Sequence, residues 1–345
     1  MEVFVDDPHC TFRGARDRIM FNMRKLLLGW LTLGCPLAPH KTKHGTNIKW
    51  IGSLFITDVE AQEVRVEIPD ENTRGLTALT KDISAHNVVS HKVLRTYVGK
   101  LQQLASLIVF FRPFVSPFWA ILHHNSGNAP RNCCWASQFE HAISWIMAFL
   151  HELAGMKLMR VFRLQAHLNL RSPATIITDA SPFGIGAIFL FDGTPIGHFA
   201  DKVCKDDMAT LGITDREKGQ QCWEALCMLV ALRVWRELWL TNRIALTIKG
   251  DSITALQLVN TLKARGGGLR IIACELAFEL SSASFEPDTV EHIPGVCNDL
   301  ADTLSRKFDP ARAAQWKVPP LLATSRSCSV PPRPYQWWRT LQWIL

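Results

Sequence analysis

Hydrophobic positions change their period several times along the chain, and each change marks an element. Residues 16–33 carry Ile19, Met20, Met23, Leu26, Leu27, Trp30 and Leu31 at helical spacing, and Gly34 ends the run. Ile48 to Gly52 and then Val64, Val66 and Ile68 alternate instead, as strands do. From Asn72 to about Leu153 the pattern is helical again. Leu94, Tyr97, Val98, Leu101, Leu104, Ala105 and Ile108 form one stripe, and Arg112-Pro113-Phe114 is expected to break it. A second helix is expected over Ala136–Leu153, and the aromatic series Phe110, Phe111, Phe114, Phe118 and Trp119 reads as core. Short β-branched runs then follow at Ile176–Ile177, Ile185–Phe191 and Ile196–Phe199. Ser181–Gly184 and Asp192–Pro195 separate them, which predicts a meander of three antiparallel strands.

Beyond the meander, Thr214 and Glu217 fit a capping box that would open a helix running to about Leu240. Arg243–Lys249 reads as a buried strand, Ser252–Leu262 and Ile271–Leu280 as helices, and Arg265–Arg270 as a flexible basic loop. Ser284–His292 reads as a last strand and Asn298–Arg306 as a short helix. The expected order is therefore β-β-β-α-β-α-α-β-α. After Pro310 the chain is rich in proline and ends in Trp337, Trp338 and Trp343. That composition predicts an extended or disordered tail over 313–345.

With 345 residues, 48% hydrophobic and 20% charged, the chain is globular and long enough for two or three domains. The formal net charge is +7. Residues 1–170 hold 19 Lys/Arg against 13 Asp/Glu, so the basic excess lies in the first half, where it suits a polyanion. Ten cysteines include no C-x-x-C pair, and Cys133-Cys134 with His123, His124 and His141 match no standard metal spacing. Reduced cysteines in an intracellular protein, cytoplasmic or nuclear, are expected. The most apolar stretches are too short or too interrupted to span a membrane, and no signal peptide is expected.

A carboxylate inside an apolar strand is expensive to bury without a partner or a metal, which singles out Asp179. Glu224 on the following helix, Asp251 at the end of the next strand and Asp302 on the last helix make a series of four. Their contexts are T-D-A-S (178–181), W-E-A-L (223–226), G-D-S (250–252) and H-I-P-G-V-C-N-D-L-A-D-T-L-S-R (292–306). In this order they resemble the type 1 ribonuclease H domain of retrotransposon polyproteins. The resemblance implies a mixed five-stranded sheet flanked by helices over 170–312. It also implies a site at Asp179, Glu224, Asp251 and Asp302 holding two Mg²⁺ ions (or Mn²⁺), with no small-molecule cofactor. His292 would take part in proton transfer or product release. Two such ions need several carboxylates to hold them against mutual repulsion. The implied substrate is the RNA strand of an RNA–DNA hybrid.

Phe4-Val5-Asp6-Asp7 at the start resembles the Y-x-D-D hairpin of a retroelement reverse transcriptase. The helix after it, the Pro36–Thr42 segment and the Trp50-Ile51-Gly52 turn follow the order of the distal palm and primer grip. The resemblance thus implies a partial palm over 1–70 and a helical thumb or connection over 71–160, an α/β and α+β multidomain chain. Only five residues precede Asp6, so the third polymerase carboxylate and the fingers would have to come from an upstream part of a longer polyprotein. This chain alone is not expected to polymerise DNA. Two rival readings are a transposase- or integrase-type nuclease on the same fold, and a non-catalytic nucleic-acid-binding remnant. The Asp302-Thr303-Leu304-Ser305-Arg306 ending argues against the first, because those nucleases resemble a three-carboxylate site with a final Glu.

Overall fold

The computed structural model describes residues 2–4, 7–10, 12, 14–34, 38, 40, 42–123, 128–153, 158–163, 174–240, 246–282 and 287–342. Strands β1 (Glu2–Phe4) and β2 (Asp7–His9) pair as a small antiparallel hairpin. Helix α1 (Arg16–Thr32) forms where the periodicity predicts it, but none of its residues is buried. Ile19, Met23, Leu26 and Trp30 are half-covered, while Phe21, Leu28 and Leu31 face outward.

Strands β3 (Asn47–Trp50), β4 (Ser53–Asp58) and β5 (Glu63–Glu67) make an antiparallel meander. The two-residue turn between β3 and β4 has positive φ at both Ile51 (46°) and Gly52 (71°), as the tight twisted hairpin requires. Glycine accepts that conformation readily and a β-branched isoleucine does not. A helical unit follows: α2 (Asp70–Ser84), β6 (Val88–Ser90), α3 (His91–Leu107), α4 (Arg112–His123), β7 (Cys133–Trp135) and α5 (Glu140–Leu150). β6 pairs with β7, and β8 (Met159–Arg163) returns to close the first sheet in the order β3-β4-β5-β8. Pro113 does not end the helical region. It occupies the second position of α4, where no intrahelical N–H is required, and so separates two helices rather than terminating a bundle. Phe111, Phe114 and Phe118 are buried as the aromatic stripe predicts, whereas Trp119 is 38% exposed.

The remaining elements are β9 (Ala174–Ala180), β10 (Gly184–Phe191), β11 (Thr194–Lys202), α6 (Lys205–Leu211), α7 (Gln220–Val234), α8 (Glu237–Leu240), β12 (Leu246–Gly250), α9 (Ile253–Thr261), α10 (Gly267–Ser282), β13 (Pro287–His292), α11 (Asp299–Ser305), β14 (Arg326–Ser327) and α12 (Arg339–Gln342). Six strands form one mixed sheet in the order β13-β12-β9-β10-β11-β14. The meander is antiparallel, and β12 runs parallel to both β9 and β13. Alternation sorts the sheet's two faces. Ile176, Ala187 and Phe189 belong to the core shared with α7, α9 and α10, while Ile177, Ile188 and Leu190 pack with Ala301 and Leu304 of α11. Among the described residues no helix is long and apolar enough to cross a membrane.

Several local expectations are corrected. The capping box lies at Cys204 and Asp207, opening the unforeseen α6, and not at Thr214 and Glu217. Residues 217–219 form a 3-10 turn instead, and the long helix begins only at Gln220. Gly267 and Gly268 belong to α10 rather than to a flexible loop. A side chain on Gly268 would come within 2.7 Å of the Leu211 carbonyl, so glycine lets the helix start press on the end of α6.

The tail is the largest departure. Leu322 and Trp338 are fully buried, and Arg333 donates to Asp207 and Asp201 at 2.6–3.0 Å while β14 extends the sheet beside β11. Proline richness predicts extended backbone, and short 3-10 turns and that ion pair fix the backbone in place.

The helical unit and the sheet unit share one continuous core. Phe114 of α4 meets Phe278 of α10 with ring centroids 5.6 Å apart, and the Arg112 guanidinium donates to the Thr261 carbonyl.

Candidate metal centre

Asp179 is the penultimate residue of β9, and Asp251 directly follows β12, its parallel neighbour. Both carboxylates therefore emerge at the same end of the sheet. Glu224 reaches them from α7, one turn after Gln220. One carboxylate oxygen from each of the three lies within 4.8 Å of the others. Asp179 is 5% and Glu224 3% exposed, so two of the three charges are nearly removed from water.

Two of the three carboxylates, Asp179 and Glu224, are held by neighbouring polar groups. Asp179 accepts from the Ser305 hydroxyl at 2.5 Å on one oxygen and from Asn298 Nδ2 at 3.3 Å on the other. Asn298 stands just before α11, where its side chain would be expected to cap the helix. It makes no capping bond and spans to Thr178 and Asp179 instead. Gln220 Nε2 donates both to Glu224 Oε1 at 2.7 Å and to the Ala180 carbonyl at 2.6 Å, so it ties α7 to the end of β9. The other oxygen of Glu224 is buried and has no hydrogen-bond partner among the described residues. A buried, unpartnered carboxylate oxygen beside two more carboxylates is a site for a hard cation. All-oxygen donors fit Mg²⁺ or Mn²⁺ and not a soft, thiolate-seeking metal.

Electrostatics point the same way. Burial, and then the neighbouring charges of Asp251 and Asp302, push the Asp179 carboxyl up to about 7, against the opposing Ser305 hydrogen bond and the Arg306 charge. Burial also raises Glu224 well above the usual carboxylate range, with Asp179 and Asp251 adding to it. Both shifts run in the direction that a bound cation would offset.

Asp302, the fourth of the series, lies on α11 near Asp179 but outside the group of three. Its Oδ1 is paired with Arg306 Nε at 2.5 Å, one turn along the helix, and its side chain is 33% exposed. His292 ends β13 and is exposed. Its Nε2 donates to the Asp251 carbonyl at 3.1 Å, so Nδ1 is the nitrogen able to take up a proton.

The seat of α11 depends on glycine in β10. A Cβ on Gly186 of β10 would lie 2.5 Å from the Leu304 Cβ and 2.6 Å from the Ser305 nitrogen, so a helix carrying Asp302 and Ser305 can approach this strand only over glycine. Gly186→Ala is expected to push α11 outward and lower the melting temperature by roughly 3–10 °C. A melting curve matching the parent's would show that the strand yields instead.

The other candidates sit apart. Asp6 lies outside the described residues, and Asp7 is placed in β2 opposite Phe4. Trp50 stacks edge-on against Phe55, and the Ile51 and Gly52 carbonyls accept from Gln103 of α3 and Asn72 of α2. The β3–β4 turn is thus held by two helices of the following unit.

No protein-family model matches the chain, and no curated protein matches it. Among solved structures it is similar to ribonuclease H1 from the halophilic archaeon Halobacterium salinarum NRC-1, at 15% identity and a TM-score of 0.30. That match covers 39% of this chain and 95% of the other. It is also similar to a foamy viral protease-reverse transcriptase in complex with RNA/DNA hybrid, at 14% identity and a TM-score of 0.33 over 82% of this chain and 34% of that one. The corresponding dRH protein in complex with double-stranded DNA gives 14% and 0.34, over 80% and 44%. The chain spans less than half the length of these foamy viral proteins.

Proposed function

We propose that this chain is a ribonuclease H-type phosphodiester hydrolase of a retroelement polyprotein, cutting the RNA strand of RNA–DNA hybrids with divalent metal. The observation that carries the reading is the convergence of Asp179, Glu224 and Asp251 within 4.8 Å, two of them buried and one oxygen left unpartnered. Such crowding raises the free energy of the metal-free site and makes a cation its natural complement. The four sequence contexts that resemble the ribonuclease H series support the same assignment. In this reading residues 1–70 and 71–160 are the distal palm and thumb or connection of a reverse transcriptase.

Asp179, Glu224 and Asp251 would hold the metal, with Asp302 joining from α11. Divalent cations bound there supply charge neutralisation for the scissile phosphate and a readily ionised water. The protein's own part is positional. Ser305 and Asn298 fix the plane of the Asp179 carboxylate, and Gln220 fixes that of Glu224, so the donors need not reorganise on loading. His292, whose Nδ1 is free to accept, would carry a proton away from or back to the reacting phosphate. Its exposed position at the rim fits exchange with water and departure of product.

The test is cleavage of a labelled RNA–DNA hybrid by the purified chain. Cleavage of the RNA strand in Mg²⁺ or Mn²⁺ is expected, with none in EDTA and none of duplex DNA. Cutting that persists in EDTA, or that falls on the DNA strand, would sink the assignment.

A further inference from the structure

We propose that Trp316, in the segment after the sheet domain, is a positioning residue of the acidic site, acting through α11. The inference rests on the metal-site reading above. α11 spans only seven residues, too few to persist alone, because the nucleating turn is unfavourable. It nevertheless carries Asp302 and Ser305 and follows directly on Asn298, so its placement sets three of the groups around Asp179. Something outside the helix must hold it.

The sheet supplies one side of that support, through the close approach over Gly186 and the Ser181 hydroxyl, which donates to the Ser305 carbonyl at 2.9 Å. The opposite side is supplied by the C-terminal segment. Trp316 Nε1 donates to the Thr303 carbonyl at 2.6 Å, satisfying one of the acceptors that a helix end leaves open. Its ring packs against the cluster of Ile188, Ala301, Leu304 and Leu322, and Lys307 Nζ lies 5.1 Å from its centroid. Leu322 is fully buried in the same cluster. Further on, the segment is fastened where Ser325 meets His198 at 2.7 Å, and where Arg333 grips Asp201 and Asp207. A strap anchored at Arg333 thus presses a tryptophan onto the last turn of the helix that faces Asp179. The N–H has a specific acceptor, so its loss acts on helix register and not on packing alone.

The experiment measures Mn²⁺ binding by calorimetry and by electron paramagnetic resonance. It uses the full chain, Trp316→Phe, Asp179→Asn and Ile146→Val. Trp316→Phe keeps an aromatic ring and removes the donor. Ile146→Val lowers stability in the helical unit, far from α11, and is the control for stability alone. The parent is expected to bind Mn²⁺ saturably and Asp179→Asn to lose that binding. Trp316→Phe should raise the Mn²⁺ dissociation constant roughly 2- to 12-fold, the range for one lost hydrogen bond, while Ile146→Val leaves it unchanged. The half-saturating metal concentration for hybrid cleavage should rise with it, and the rate at saturating metal should hold. If Trp316→Phe lowers the melting temperature but binds Mn²⁺ like the parent, the residue is merely structural and the proposal is wrong. Should Trp316→Phe fail to fold, Leu322→Val tests the same contact with the same two outcomes. Absence of saturable Mn²⁺ binding by the parent overturns the metal-site reading itself and this inference with it.

Discussion

Asp179→Asn is expected to abolish metal-supported cleavage while making the metal-free protein more stable above about pH 6. The two effects have one cause. Asp179 is nearly buried, beside Asp251 and Glu224 and near Asp302, and its carboxyl is pushed from its ordinary value of 3.8 to about 7. A folded-state value above the unfolded one means that the native protein binds this proton more tightly. The associated stabilisation is complete below about pH 4 and is lost as pH rises through 7. Glu224 is shifted in the same direction and adds to the loss. Metal-free protein should therefore melt at progressively lower temperature from pH 4 to pH 8. Asparagine has nothing to ionise there, and its single amide oxygen can still accept from Ser305, so the variant should show a shallower slope. Added Mg²⁺ should raise the parent's melting temperature at pH 8 and leave the variant's almost unchanged, since only the parent gains ligand-binding free energy. Cleavage should fall at least about a thousandfold, because several kcal/mol of transition-state charge stabilisation depend on the cation. Calorimetric scans with and without Mg²⁺ between pH 4 and 8, beside hybrid-cleavage rates, check both halves. A variant that cuts at the parent's rate would remove Asp179 from the site.

The three clustered carboxylates were legible for a local reason. Asp179 and Asp251 each terminate a short β-branched run, and two neighbouring parallel strands bring their ends together. Glu224 follows a tryptophan on an apolar helix face, where a charge stands out. The groups that hold them were not legible as such. Ser305 and Asn298 reach Asp179 across 126 and 119 residues of chain, and a bond of that kind leaves no periodic trace. The helix starts at Gln220 and not at Thr214 because Thr214 and Glu217 have the letters of a capping box, whereas Cys204 and Asp207 have its geometry. The tail departs from its expected disorder for a different reason. Composition reports what a proline-rich segment can do alone. Here Arg333, 4% exposed, finds Asp201 and Asp207, and Leu322 finds the gap beside α11. The converse case is α1, whose periodic apolar face is real but is not buried among the described residues.

Asp302→Asn and Asp299→Asn, three residues apart on one short helix, are expected to separate catalysis from stability. Asp299 is exposed in the first turn of α11, where a carboxylate is favoured by the partial positive charge of the helix start. Because Asn298 is turned away toward Asp179, it does not cap that end, which leaves Asp299 as the acidic residue there best placed to offset the dipole. Its loss should lower the melting temperature by about 1–2 °C and leave cleavage within about twofold. Asp302 differs in every respect. It is half-buried, and its charge is close enough to raise the Asp179 carboxyl. Its ion pair with Arg306 is an exposed-type i,i+4 contact, which contributes little to stability, so the pair alone does not explain an aspartate in a helix. Arg306 holds that carboxylate in place until a cation competes for it. Asp302→Asn should therefore cut Mg²⁺-supported cleavage about a hundredfold or more, roughly the loss of 3 kcal/mol from the transition state, with little change in the metal-free melting temperature. Arg306→Gln, which frees the same carboxylate without removing it, should retain most of the activity. Rates and melting temperatures of the three variants decide the matter. A catalytic loss confined to Asp299→Asn would reverse the two assignments.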